Sequence, residues 1–520
     1  MWIAGSASIG SLSNQTGGVI AGGVGGAGPT SGVGAAGGAG GAGVANSGSI
    51  PTLTNNGMIN GGSGGAGVNG GAGGAGVLNA AGATITKLTN NMGATIAGNI
   101  GGSGLVRGGA GGAGLSNSGM IGSTSGPPVG IDNKGSILGG VGGSSAGAGG
   151  AGVSNAHGGT IAVLSNSGTI RGGEGGRGVS GGVAGAGVSN AGTITTLTNS
   201  AMISGGRGGE AGGQTGVSGA GGAGVSNTGT ITKLTNNGTI SAGAGGFGFV
   251  AGAAGTGILN TGAGMIGTLI NNGTISGGAY AIYSPGVSSI GSFTNPGQVI
   301  GNVLVDPVAP FVITGGSGKT FGSFSGGVIT VVGGDLVFGG NTDLADNINV
   351  NDGRGTVTNE GVLQLAMPET ITGNFEQTSS GVLDLLLGGD LSGEYGALNV
   401  TGGVTLDGEL ALATIDGFHL AGGDTFDLMT YSPDGGSFSG ASLGGVACSA
   451  TLTAVWDCGG GFNLDLVIGA SGVQATILGI PEPQTWALMA TGLLGLASLG
   501  LLRRRRACVE APCASCQRSI

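Results

Sequence analysis

The chain has 520 residues, of which 134 are glycine, and only 7% of its residues are charged. Glycine makes up roughly 7% of an average protein, and it is a poor helix former, so this composition excludes an ordinary helical or α/β enzyme domain. The formal net charge is −10, and residues 1–300 hold only seven basic and three acidic side chains, so the chain offers no basic surface for nucleic acid.

Residues 1–300 consist of repeats of about 35 residues, a period typical of stacked repeat proteins. The segment Gly-Val-Ser-Asn that begins at Gly187 returns at Gly224, and a related copy begins at Gly257. Each unit contains two apolar-x-Asn steps, for example Val188–Asn190 and Leu197–Asn199. The alternating Thr, Ile and Leu residues between these steps predict a half-buried strand. The Asn and Gly residues that follow the steps predict turns.

These strands can pair within one unit as hairpins, or equivalent strands of successive units can stack as a solenoid. Stacking brings Asn190, Asn227 and Asn260 into register, where their amides can hydrogen-bond to each other. We therefore predict an all-β fold, a right-handed parallel β-helix, with the glycine tracts as its third side or as protruding loops. The residues predicted to point into the core are Val188, Ile194, Leu197 and Ile203.

Thr-x-Thr steps begin at Thr84, Thr193 and Thr230, at equivalent positions of the repeat. A flat array of threonines on a β-helix can order water and bind ice, which makes an ice-binding protein one alternative function. Ordinary strand propensity also accounts for these threonines. Lys87 and Lys233 interrupt the array.

Residues 301–480 have less glycine, longer strand-like segments, and nineteen acidic side chains against Lys319 and Arg354. Strands separated by Gly-Asp and Asn-Gly turns predict a second all-β segment. The acidity indicates a solvated surface or, alternatively, calcium binding. Residues 311–468, above all the stretch from Gly396 to Gly440, resemble the C-terminal part of autotransporter passenger domains. That resemblance implies a surface-displayed, extended β-structure.

Enzymatic activity has little support in this segment. A pair of carboxylates on one face of a β-helix can cleave polysaccharides. Four residues are candidates for such a catalytic pair: Asp335, Asp343, Asp346 and Asp352. No cluster of Lys, Arg or His accompanies them. We therefore predict that the chain is not an enzyme and has no cofactor.

The five cysteines fall into two groups. Cys448 and Cys458 flank a predicted hairpin, and a disulfide between them is reasonable in an oxidising compartment. Cys513 and Cys516 form a single Cys-x-x-Cys step, and the chain contains only two histidines. One such step cannot complete a tetrahedral zinc site, so we predict no metal site.

The C-terminus carries the strongest signal. The span from Trp486 to Leu502 has 17 uncharged, mostly apolar residues. As a helix it would be roughly 25 Å long, at the short end for a transmembrane helix. The basic residues that follow at once are Arg503, Arg504, Arg505 and Arg506. The positive-inside rule then places the C-terminus in the cytoplasm and the body outside.

The ordered series Pro481-Glu482-Pro483, apolar span and arginine cluster resembles the PEP-CTERM sorting signal of Gram-negative bacteria. The same signature is known as a C-terminal domain of ice-binding proteins. The resemblance implies an inner-membrane stage and recognition by an exosortase, a membrane cysteine protease that cleaves near Pro481–Pro483. It also implies release to, or attachment at, the cell surface, often alongside exopolysaccharide in a biofilm.

The chain departs from this pattern in two ways. Residues 507–520 follow the arginine cluster, where such signals usually stop. The N-terminus lacks the basic and apolar regions of a signal peptide and matches the interior of a repeat instead. We therefore expect that Met1 is not the true start of the protein and that a signal peptide precedes it.

The sequence thus predicts four parts: glycine-rich solenoid repeats at 1–300, an acidic autotransporter-like β domain at 301–480, the sorting signal at 481–506 and a cytoplasmic tail at 507–520. The predicted function is that of an exported structural protein of the cell surface or extracellular matrix. The main alternative is an adhesin that binds cells or surfaces through the face of its repeats.

Overall fold

The computed structural model describes residues 1–479 except 6, 33, 124, 125, 127, 214, 433, 434, 452–454 and 460, and in addition residues 489, 491–494, 496 and 497. Its main body is a stack of coils in which equivalent strands of successive coils pair in parallel. This is the architecture of a β-solenoid, as predicted. A short 3₁₀ turn at Asn351–Gly353 lies between two coils.

Each repeat coil contributes one strand to each of three parallel columns, which we call I, II and III in chain order. One coil contributes two strands to column II, Met120–Ile121 and Ile131–Asn133, which both pair with Thr84–Asn90. The strands of column I are Trp2–Ile3, Val44–Asn46, Val77–Asn79, Leu115–Asn117, Val153–Asn155, Val188–Asn190, Val225–Asn227, Thr256–Asn260, Tyr280–Ser284 and Val303–Val305. Those of column II are Ser11–Asn14, Ser49–Asn55, Thr84–Asn90, Met120–Ile121, Ile131–Asn133, Thr160–Asn166, Thr193–Asn199, Thr230–Asn236, Met265–Asn271, Ser289–Thr294, Phe311–Thr314, Leu336–Gly339, Thr356–Asn359, Asn374–Gln377 and Val404–Thr405. Those of column III are Val19–Ala21, Met58–Asn60, Thr95–Ala97, Ser136–Leu138, Thr169–Arg171, Met202–Ser204, Thr239–Ser241, Thr274–Ser276 and Gln298–Ile300.

The apolar residue of each strand points into the coil because successive residues of a strand face opposite sides. Val188, Ile194, Leu197 and Ile203 are all 0% exposed, which confirms the predicted inward set. Their equivalents in neighbouring coils stack directly above and below them, as Ile194 does between Ile161 and Ile231. The hydrophobic core is therefore continuous along the whole stack.

Two asparagine ladders run along this core. In column I the Nδ2 atom of Asn190 donates to the Oδ1 atom of Asn227 at 2.8 Å, and Asn227 donates to Asn260 at the same distance. The predicted stack of these three residues is thus confirmed. The full ladder in column I is Asn46, Asn79, Asn117, Asn155, Asn190, Asn227 and Asn260, ending on Ser284. That in column II is Asn14, Asn55, Asn90, Asn133, Asn166, Asn199, Asn236, Asn271 and Asn295.

The repeat length follows from an excursion between columns III and I. Successive asparagines of the column I ladder are 33 to 38 residues apart while this excursion is present. The last step, from Asn260 to Ser284, is only 24 residues. From Gly277 onwards a short turn replaces the excursion. Two strands lie within the excursions, Gly67–Asn69 and Gly104–Arg107.

The stack continues through residue 300 without a break. Gln298–Ile300 and Val303–Val305 both pair with the single strand Gly322–Val331, which joins columns III and I. Phenylalanines such as Phe324 and Phe338 now fill the core, and their rings meet edge to face. The further strands of these joined columns are Asn341–Val350, Val362–Leu365, Pro368–Thr372, Val382–Leu387, Ala397–Val400, Glu409–Thr414, Thr425–Thr430 and Gly440–Leu443.

An antiparallel sheet covers the end of the stack. Its strands are Val446–Ala447, Ser449–Ala450, Val455–Asp457, Phe462–Ile468 and Gly472–Gly479. The last of these pairs antiparallel with Thr425–Thr430, a strand of the solenoid. The sheet therefore occupies the edge on which a further parallel coil would stack, as the end of a repeat protein requires.

Candidate functional site

The glycine tracts form ordered pairs of arms, each with an outgoing and a return segment. In the coil that carries residues 172–187, the N–H groups of Gly172 and Gly175 donate to Ser204 and Arg207 of the next coil. The N–H groups of Gly173 and Gly176 donate to return-arm carbonyls of the preceding coil instead. Each contact type recurs every three residues, which is the repeat of an extended polyproline II-type helix. The arms therefore pack as a two-layered bundle of such helices.

Glycine is needed in these arms for close packing. A Cβ atom on Gly185 would overlap the carbonyl oxygen of Gly150, and one on Gly222 would overlap the carbonyl oxygen of Gly185. Neither glycine has the positive φ that would itself require glycine. The same close approach of backbones confines the crowded axis of collagen to glycine. The glycine tracts are thus a built part of the fold, in place of the third side or loops that the sequence predicts.

Every third residue of the arms points outward, so the bundle presents two faces. The face of the return arms is formed almost entirely by alanine, for example Ala148, Ala186 and Ala220. The face of the outgoing arms carries charges in its later coils. There Arg177 and Arg207 both form ion pairs with Glu210. Arg207 also lies over the ring of Phe247, 4.0 Å from its centroid.

The tips of the arms expose apolar side chains. Val179 is 78% exposed and Phe249 is 77% exposed. Others at or beside the tips are Leu105, Val106, Val217, Phe247 and Val250. Val217 and Val250 pair in adjacent coils, so these two apolar residues are neighbours at the tips.

The threonine positions lie on the outer face of column II. Thr160, Thr193 and Thr230 stack in register. Met120 and Met265 occupy the same row in neighbouring coils. In a second row Lys233 stands between Thr196 and Thr268, and Lys87 follows Thr52. The threonines therefore form short runs that methionine and lysine interrupt.

A pair of acidic side chains points into the core of the second segment. Asp346 is 2% exposed and Glu369 is 9% exposed. The register that pairs Ile348 with Ile371 places the two acids opposite each other in adjacent coils, about 4.8 Å apart along the stack. One carboxylate oxygen of Asp346 accepts the N–H of Gly327 at 2.7 Å, and the other is buried without a partner. The sequence did not predict Glu369, which a span of 23 residues separates from Asp346.

The other predicted carboxylates do not join this pair. Asp335 accepts the backbone N–H of Thr356 at 2.8 Å. Asp343 lies on the outer side of its strand, and Asp352 lies in the 3₁₀ turn. Among the described residues, no group of three or more His, Cys, Asp or Glu side chains is placed to hold a metal ion.

Burial dominates the electrostatics of the acid pair. It raises the pKa of Asp346 from 3.8 to about 6, although the hydrogen bond from Gly327 acts in the opposite direction. Burial, together with the charge of Asp346, raises the pKa of Glu369 from 4.5 to about 7. No basic side chain contributes to either shift, so both carboxyl groups are mainly protonated only below about pH 6.

This pair makes the second segment less stable at alkaline pH. Both folded-state pKa values lie above the ordinary ones, so the folded chain binds more protons than the unfolded chain. The stabilisation is complete below the ordinary values of 3.8 and 4.5 and is lost as the pH rises through about 6 to 7. We expect the thermal midpoint to fall by at least about 3 °C between pH 5 and pH 8, roughly the effect of 1 kcal/mol.

Scanning calorimetry at several pH values measures this effect. The double variant Asp346→Asn, Glu369→Gln should flatten the profile, whereas Glu360→Gln, a change on the exposed surface, should leave it unchanged. An unchanged midpoint in the parent chain across this range contradicts the assignment.

Cys448 and Cys458 are joined by a disulfide with an S–S distance of 2.05 Å. Ser449–Ala450 pairs antiparallel with Val455–Asp457, so the bond closes the hairpin between the two cysteines. The bond lies in the sheet that covers the end of the stack.

Most of the predicted sorting signal lies outside the described residues. This applies to Pro481, Glu482, Pro483, Trp486, Leu502, Arg503, Arg504, Arg505 and Arg506, and to the three remaining cysteines. Within the described part of the chain, no helix combines the length and the hydropathy that a membrane crossing requires.

No protein-family model matches the chain, and a search of the curated proteins finds no similar sequence.

Proposed function

We propose that this chain is an exported structural protein of the cell surface or extracellular matrix of a Gram-negative bacterium. The observation that carries the proposal is the unbroken parallel stack. Column II alone runs through fourteen coils, a length of about 65 Å at the spacing of paired strands. Its core and ladders fill the coil interior, which suits a rigid spacer. We also propose that the coil is right-handed.

The route to the surface rests on the C-terminal sequence. The triplet at Pro481–Pro483, the span from Trp486 to Leu502 and the arginines that follow have the order of an exosortase-sorted signal. The chain would be held in the inner membrane, cleaved near the triplet, and then released or retained at the outer surface, where exopolysaccharide is its expected surrounding. The disulfide between Cys448 and Cys458 supports an oxidising destination.

Mass spectrometry of the native protein from the surface fraction tests this route. We expect a mature C-terminus near Pro481–Pro483, without the arginine cluster. An intact chain that still carries the peptide from Cys508 to Cys516 would show that the protein is not processed in this way.

A second candidate function is adhesion. The exposed apolar residues at the arm tips favour it, because exposed apolar patches mark surfaces for contact with other molecules. Deletion of residues 1–300 would abolish cell attachment if the arms are adhesive. Under the structural function the same deletion would only weaken the matrix.

A further inference from the structure

The acid pair in the core of the second segment lacks a partner for its charge. One carboxylate oxygen of Asp346 is buried and, within the described chain, accepts no hydrogen bond. No hydrogen bond from the described residues reaches the carboxylate of Glu369 either, although this side chain is only 9% exposed. Two buried carboxylates in adjacent coils repel each other when both are ionised, so the space between them favours a cation.

The basic side chains of this segment do not supply that cation. Lys319 and Arg354 are its only lysine and arginine, and neither forms an ion pair among the described residues. Neither contributes to the electrostatics of Asp346 or Glu369. The charge that neutralises the ionised pair must therefore come from solution.

The pair lies at a corner where the regular strand pairing is interrupted on both sides. In the coil that precedes Asp346, the register shifts between Ser325 and Val328. In the coil of Glu369, residues 366–367 belong to neither of the two flanking strands. Within the described chain, the carbonyl oxygens of these two residues accept no hydrogen bond. The corner therefore offers backbone oxygens in addition to the two carboxylates.

The same turn gives access from solvent. Met367 is 58% exposed, and Pro368 is exposed as well. Glu369 follows at once and is more exposed than Asp346. An ion can thus reach the pair past Glu369 without opening the stack.

We propose that Asp346 and Glu369 bind one calcium ion between their two coils. Calcium takes about six to eight oxygen ligands in flexible geometry and combines carboxylates with backbone carbonyls and water, whereas magnesium requires near-ideal octahedral geometry. Two ionised carboxylates balance the charge of one divalent ion. The ion would join adjacent coils at a corner where the strand pairing is interrupted. Binding at this site does not depend on how the chain is sorted.

Calorimetric titration of the full chain with calcium chloride at pH 8 tests the site. We expect saturable binding of one ion per chain, half-complete at about 1 mM calcium or below, the range of extracellular calcium modules. The double variant Asp346→Asn, Glu369→Gln keeps the shape of both side chains and removes their charges, so it should bind at least about tenfold more weakly. Its circular dichroism spectrum in EDTA should match that of the parent, which shows that unfolding does not cause the loss.

A matched control removes two charges from the outer side of the same segment. Asp384 and Glu409 lie in adjacent coils and influence each other. Both are partly exposed, and Gln364 donates to Asp384 at 2.7 Å. The double variant Asp384→Asn, Glu409→Gln should therefore bind calcium as the parent does. Absence of saturable binding, parent-like binding after substitution of Asp346 and Glu369, or equal loss in both double variants would overturn the proposal.

Discussion

Gly185→Ala is expected to lower the stability of the glycine arms by about 3 kcal/mol or more, at the upper end of the cost of overpacking. The new Cβ would overlap the backbone oxygen of Gly150. A backbone atom cannot turn aside as a side chain can, so the coils must separate. In a stack each coil contacts only its neighbours, and the damage should remain within a few coils. Hydrogen exchange measured by mass spectrometry should show faster exchange over residues 139–224.

A substitution at the neighbouring residue distinguishes the overlap at Gly185 from a general effect of any mutation in the arms. Ala186 occupies the outward position of the same triplet, so Ala186→Ser should leave the exchange rates of the arms unchanged. Equal protection in Gly185→Ala and the parent chain would show that the backbones are not packed as closely as described.

The columns and the arms differ in how far the sequence reveals them. The solenoid was predictable because the inward residues Val188, Asn190 and Ile194 recur at the same positions in each repeat. Each of them is next to outward polar or small residues, so the two faces of the strand can be told apart in the sequence. Glycine has no side chain with which to mark an inner and an outer face. The available signal was the three-residue spacing, as in Gly172-Gly-Glu-Gly-Gly-Arg177, with an outward residue at each third place. That spacing indicates a threefold extended helix.

The acid pair depends on strand register, which composition does not reveal. Asp346 and Glu369 meet because the coil between them has 23 residues. In the same pair of coils Asp343 stands opposite Gln364, a step of only 21 residues. A difference of two residues at one corner decides which side chains meet.

Asn190→Asp should destabilise its coil by about 3–5 kcal/mol, the cost of an unpaired charge in a protein interior. The Nδ2 atom of Asn190 donates to Asn227, at 2.8 Å, and to the carbonyl oxygens of Gly192 and Thr230. A carboxylate oxygen in the same place would face three acceptors and offer them no proton. The residue is 1% exposed, so water cannot compensate. Thermal unfolding followed by circular dichroism should show a lower midpoint.

The pH dependence of the stability of this variant shows whether the buried charge causes the loss. Burial raises the pKa of the introduced carboxyl group. The protonated form can donate one hydrogen bond, so the variant should regain stability towards acid pH and lose it again as the pH rises through the raised value. The matched control is Asn237→Asp at the surface, where the Oδ1 atom only accepts a bond from Asn272 and a carboxylate can still do so. Loss of stability that is equal at both positions, or independent of pH at Asn190, would mean that the ladder stabilises the coil by packing alone.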